Sequence, residues 1–170
     1  MADSSLYDED ILIWSEQQAA ALRYLANRRD LPNELDLANV LDLANVIEEI
    51  EDVGRSEFHT VESLIESILT HLVLLAADPD APATRGWIAE ITAWNLTLRR
   101  RITPSMQARL DVPSLWRDSL EVAAAKLAGW DEDKAAAVTR LREAPCPFTA
   151  SDFPSAALDV AGAAARIRIA

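Results

Sequence analysis

Five carboxylates and two histidines are the residues of this chain whose types could carry chemistry. Glu48, Glu49, Glu51, Asp52 and Glu57 crowd into one short stretch, and His59 and His71 follow. Helical bundles that hold a pair of metal ions use inward Glu residues from several helices, with Glu-x-x-His on two of them. That spacing is missing: three residues before His59 stands Ser56, and three before His71 stands Ile68. With two histidines a di-iron centre of that type is incomplete. Glu48, Glu51 and Asp52 instead flank an apolar stripe and read as a solvated helix face.

Glu57 and His71 fall differently. Continuing the stripe Ile50–Val53 lands on Glu57, and continuing Leu64–Ile68 lands on His71. A carboxylate or imidazole on an apolar face is costly unless it is partnered. Two readings stay open. One is a polar network that fixes helix register, with Arg55 and the arginines of the second half as partners. The other is a metal, ligand or proton-transfer site in which Glu57 and His71 converge within about 5 Å, with Glu48 or Asp52 beside them. The remaining chemical candidates are weaker. Arg99, Arg100 and Arg101 end a helix, where cations offset the helix dipole, and no aromatic residues interleave them. Cys146 lies between two prolines and reads as a structural thiol. No phosphate-cradling glycine loop, nucleophile elbow or zinc signature is present, so no cofactor is expected.

The elements that must position these residues are helical. Alanine and leucine dominate, glycine occurs four times, and strict apolar–polar alternation is scarce. Asp8-Glu9-Asp10 opens a first helix with Ile11, Trp14, Leu22 and Leu25 roughly on one face, and Leu31-Pro32-Asn33 breaks it. Residues 35–40 and 41–46 then repeat one hexapeptide, Leu-Asp-Leu-Ala-Asn-Val. Six residues turn a helix by about 600°, which leaves the second copy about 120° out of phase with the first. One copy must be a lead-in, with Asp36 and Asp42 as equivalent N-cap candidates, and a helix begun in the first copy is expected.

Val46, Ile47, Ile50 and Val53 form a stripe, and Val61, Leu64, Ile65, Ile68, Leu72 and Leu75 continue it beyond Gly54. Gly54 is either a kink or the end of one helix, since glycine costs about 1 kcal/mol against alanine mid-helix. After the turn at 78–82, Thr84–Arg101 reads as a long helix carrying Trp87, Ile91, Trp94 and Leu98, ended by Pro104. Another helix spans about 113–128, Gly129 closes it, and Asp131 caps the next. Residues 145–170 are a looser tail with room for a short Ala-rich helix around 155–165.

At 170 residues the chain is long enough to bury a core as one domain, 1–170. One cysteine rules out an internal disulfide. The longest apolar stretch, about 68–77, is half a membrane span, and no secretory leader is seen, so a cytoplasmic protein with no membrane partner is expected. The net charge is −12 and uneven: residues 1–80 hold 18 Asp/Glu against 4 Arg/Lys, residues 81–170 hold 12 Arg/Lys against 10 Asp/Glu. Such an acidic first half disfavours nucleic acid.

The phrase Asn45-Val46-Ile47-Glu48-Glu49-Ile50-Glu51-Asp52-Val53-Gly54-Arg55-Ser56-Glu57 resembles the signature of the bacterial family called domain of unknown function 29. Tyr7-Asp8-Glu9-Asp10 with Trp14, the histidine at His71, Trp87, and Cys146-Pro147-Phe148-Thr149 match the family's other phrases, so the likeness covers nearly the whole chain. Two departures stand out: the doubled hexapeptide looks like a tandem insertion, and Trp94 stands among apolar residues where the family is usually rich in Arg and Gln. The resemblance implies an all-helical cytosolic protein and transfers no activity.

The sequence therefore predicts an all-α, single-domain bundle of five or six helices joined by short loops. It reads as a non-catalytic protein-binding or assembly module. Its partner is a protein or a second copy, a dimer included, reached through the acidic helix (Glu48, Glu49, Glu51, Asp52, Gly54, Arg55, Glu57) and a Trp87–Trp94 stripe. The rival is the carboxylate/histidine site.

Overall fold

The computed structural model describes residues 4–27, 43–155 and 158–169. All regular structure among them is helical: α1 (Ser4–Glu9), α2 (Ile11–Ala26), α3 (Leu43–Ala77), α4 (Thr84–Arg101), α5 (Pro104–Arg109), α6 (Val112–Ala128), α7 (Glu132–Arg140) and α8 (Val160–Ala165), with 3-10 turns at Leu141–Glu143 and Ala150–Asp152. The all-α expectation holds, with five of these helices longer than eight residues. The first hexapeptide copy, its proposed helix start, the candidate caps Asp36 and Asp42 and the break at Pro32 lie outside the described residues.

The chain divides into two compact units, residues 1–60 with 103–106, and residues 61–102 with 107–170.

In the first unit, Asp10 caps α2 by accepting from the Ile13 amide at 3.2 Å, and the same carboxylate oxygen accepts from Ser105 Oγ at 2.8 Å. The buried line of α2 is Leu12, Ser15 and Ala19, not the expected Ile11, Trp14, Leu22 and Leu25, of which Leu25 is exposed. The cause lies across the interface. Gly54 is neither a kink nor a helix end: α3 runs unbroken through it for 35 residues. A methyl group placed on Gly54 would meet Ser15 Oγ at 2.1 Å and Leu12 Cδ1 at 3.3 Å. Two helix backbones approach closely where both present small residues. That contact fixes the rotation of each helix, so Ile47 and Gly54 turn inward while Val46 and Val53 stay exposed.

In the second unit, α3 is buried on all sides from Ile68 to Leu75, which suits a helix that other helices surround. By length and composition α3 could cross a membrane, but more than half of its apolar window is buried inside the protein. The core of this unit also takes Trp87, Ile91 and Leu98 of α4, Leu115, Trp116, Leu120, Ala123 and Leu127 of α6, and Ala135 and Val138 of α7. Asp111 and Asp131 cap α6 and α7 through the Ser114 and Lys134 amides, the second as expected. Lys134 adds ion pairs to Asp78 at 3.0 Å and Asp131 at 3.2 Å. Pro104 does follow the end of α4, but it also opens α5, a helix too short to show periodicity. Ser119 Oγ shares its proton between the Leu115 and Glu66 carbonyls at 2.7 and 3.1 Å, tying α6 to α3 without leaving a buried hydroxyl unpaired.

Candidate functional site

The acidic phrase forms the outer surface of α3 in the first unit. Glu48, Glu49 and Asp52 are exposed, and Glu51 is half-buried. Arg23 of α2 donates to Glu51 Oε1 at 2.6 Å, and Arg55 reaches Glu51 at 3.7 Å and pairs with Asp52. The Arg23 hydrogen bond holds the Glu51 carboxyl below the usual carboxylate range. Part of the cluster is thus an ion-pair lattice between neighbouring helices, worth little individually at the surface.

Beside it runs an apolar groove of about 470 Å³ lined by Trp14, Asn45, Val46, Glu49, Ile50 and Val53. Tyr7 packs edge-on against Trp14 of the groove, ring centroids 4.9 Å apart. The described part of this unit carries nine carboxylates (Asp8, Glu9, Asp10, Glu16, Glu48, Glu49, Glu51, Asp52, Glu57) against Arg23 and Arg55. An exposed apolar strip therefore lies in a strongly negative field. The sequence periodicity grouped Val46, Ile47, Ile50 and Val53 as one stripe, and the structure buries Ile47 while leaving Val46 and Val53 exposed.

His71 sits in the second unit, buried to 7 % exposure. Its Nδ1 is 2.9 Å from the Ser67 carbonyl one turn back, its Nε2 is 3.1 Å from Glu90 Oε2, and the Trp94 ring stands edge-on at 4.7 Å. A carbonyl can only accept, so Nδ1 carries a proton. The Nε2 contact with a carboxylate is then a hydrogen bond only while a further proton sits between them. Desolvation by burial pushes the imidazole below its ordinary pKa, and Lys126 adds to this; the Ser67 carbonyl and Glu90 oppose it. Burial is the largest influence because Glu90 is itself half in water. His71 is thus held neutral at neutral pH with Nδ1 hydrogen-bonded and Nε2 facing the Glu90 carboxylate without a proton between them, and protonation completes that second bond.

Glu57 and His71 do not converge. Fourteen residues of one continuous helix separate them, about 21 Å of rise. The group beside His71 is Glu90, which sequence reasoning missed because nothing local marks it. Among the described residues no group of three or more His, Cys, Asp or Glu side chains could hold a metal ion. Trp87 and Trp94 do not form an exposed stripe: Trp87 is core, and Trp94 is half-buried on His71. The position that completes the inner face of α4 is Asn95, whose Nδ2 donates to the Ser155 carbonyl at 3.1 Å.

The Cys-Pro-Phe-Thr phrase is a structural corner. Phe148 is buried, edge-on to Trp116 at 5.9 Å and under the Arg166 guanidinium at 4.6 Å. Arg166 pairs with Asp152 at 2.6 Å and donates to the Pro147 carbonyl. Asp152 also accepts from the Thr149 amide at 2.7 Å, and Gln107 Nε2 donates to the Ala150 and Phe153 carbonyls. Cys146 Sγ accepts from the Phe148 amide at 3.4 Å, and burial pushes its thiol up in pKa, the opposite of an activated nucleophile. A cleft of about 480 Å³ opens here, and its charged groups are spent on one another and on the Asp159 cap of α8.

The chain is similar over 95 % of its length, and 96 % of the other's, to the crystal structure of an alpha-helical protein of unknown function from Rhodospirillum rubrum, at 32 % identity and a TM-score of 0.75. No curated protein matches it. The model of the family described as "Domain of unknown function DUF29" matches residues 6–152, which hold the groove helix, the His71 pocket and the Cys146–Thr149 corner, and the chain belongs to that family.

Proposed function

We propose that this protein is a non-catalytic binding module. The groove of Trp14, Val46, Ile50 and Val53 receives a basic amphipathic segment of a protein partner. The observation that carries this is the coincidence of an exposed apolar strip with a carboxylate-rich surround. Apolar anchors supply affinity in such a contact, while the negative field selects cationic flanks and steers encounter. The same field disfavours phosphate backbones as partners. A cytoplasmic setting goes with this reading, since the one thiol, Cys146, needs no oxidising compartment.

The test is titration of tag-free protein with a synthetic amphipathic helix bearing Leu on one face and Arg on the flanks, followed by calorimetry. Binding that weakens with added salt and is lost in Val53→Lys supports the reading. Absence of heat at low salt, or binding indifferent to Val53→Lys, sinks it. The alternative, a carboxylate/histidine metal site, would start from His71 and Glu90, which no third His, Cys, Asp or Glu side chain joins among the described residues, where metals ordinarily take four or more ligands. Elemental mass spectrometry of protein purified without chelator decides that point.

A further inference from the structure

The outer face of α4 has the complementary character. Ile88 and Leu96 are 42 % and 48 % exposed, among the most exposed large aliphatic side chains of the second unit. Thr92 lies between them on the same face, and its hydroxyl is already spent on the Ile88 carbonyl at 2.8 Å, so the strip presents no unpaired hydroxyl. Arg85 and Arg100 are exposed along the same side at helical spacing. The helix's one carboxylate, Glu90, is turned away to His71. Within α4 itself this face is apolar at its centre and carries arginines at its margins.

The two strips also match in length. Val46 to Val53 spans seven residues of α3, about 10.5 Å, and Ile88 to Leu96 spans eight residues of α4, about 12 Å. We infer that the occupant of the acidic groove is α4 of a second copy of this chain, Ile88 and Leu96 filling the strip beside Val46 and Val53 while Arg85 and Arg100 meet carboxylates such as Glu49. This rests on the groove reading above and names its partner. Each copy carries both surfaces, so the contact made twice about a two-fold axis gives a closed dimer, and made once per copy gives a head-to-tail chain.

The experiment is the mass of the tag-free full chain by light scattering across a concentration series, at low and at high salt. The expected result is a mass above the 18.7 kDa of one chain that falls as salt rises. Glu49→Arg and Arg100→Glu should each weaken association by about tenfold, and the double variant should recover much of it, because opposite charges again face each other. Leu96→Lys tests the apolar part and should give monomer. A monomeric wild type at high concentration and low salt overturns the inference, as does association that neither charge reversal weakens. A monomer that still binds the synthetic basic helix leaves the groove reading standing without self-association; a monomer that does not bind it removes both.

Discussion

Gly54→Ala separates two opposed effects in one substitution. In an exposed helix interior, alanine for glycine would gain about 1 kcal/mol from propensity and unfolded-chain entropy. Here the added carbon would lie 2.1 Å from Ser15 Oγ and 3.2 Å from Ser15 Cβ. Ser15 has little room to yield, because it is buried and its hydroxyl donates to the Leu12 carbonyl at 2.9 Å. Overpacking of this kind costs about 1–3 kcal/mol, and an overlap so deep belongs at the upper end. The two effects leave a net loss of about 1–2 kcal/mol, or about 2–8 °C in Tm for a chain of this size. Combining it with Ser15→Ala removes the nearest atom and leaves contacts of 3.2 and 3.3 Å, which small shifts relieve. The double variant should therefore recover most of the loss, with a coupling of at least about 1 kcal/mol. Urea denaturation followed by circular dichroism, with unchanged slope, reads these differences. A Gly54→Ala protein more stable than wild type would refute the close-contact account and leave only propensity.

His71 titrates below its ordinary value, so the unfolded chain takes up its proton first. Stability from this group is complete above about pH 6.5 and declines as pH falls toward the folded value. An NMR titration of the His71 ring should give a midpoint under the model-peptide value, and a midpoint above it would show that Glu90 outweighs burial. Cys146, with its thiol pushed up, should react with a thiol reagent at pH 8 more slowly than free cysteine in the native state and at the free rate in urea. Asp131→Ala removes the α7 cap and one partner of Lys134 and should cost about 1 kcal/mol in urea denaturation. An unchanged midpoint would mean that water replaces the cap at no cost.

The helices were legible because their signals are local. Thr84–Arg101 and the helix ending at Ala128 follow from propensity, the prolines before and after them, and Gly129, while the Asp131 cap needs only its own three following residues. The family phrases were legible as strings for the same reason. Six-residue elements such as Pro104–Arg109 were not, since they span less than two turns and show no period.

Which face of each helix turns inward was decided only by tertiary structure. A stripe of apolar residues on one helix is wide enough to be rotated by a third of a turn and still look amphipathic. The Gly54–Ser15 contact selects the rotation in the first unit, moving Val46 and Val53 outward and creating the groove. In the second unit α4 turns Trp87, Ile91, Asn95 and Leu98 inward, the Asn95 amide donating to the Ser155 carbonyl, and leaves Ile88 and Leu96 in water. Glu57 and His71 shared a stripe in the sequence, yet a helix advances 1.5 Å per residue, and one unbroken helix keeps them apart. The sequence by itself determined the helices, their caps and the charge asymmetry, all set by near neighbours along the chain. Close approach between helices, a property of pairs distant in sequence, determined which apolar residues became core and which became surface.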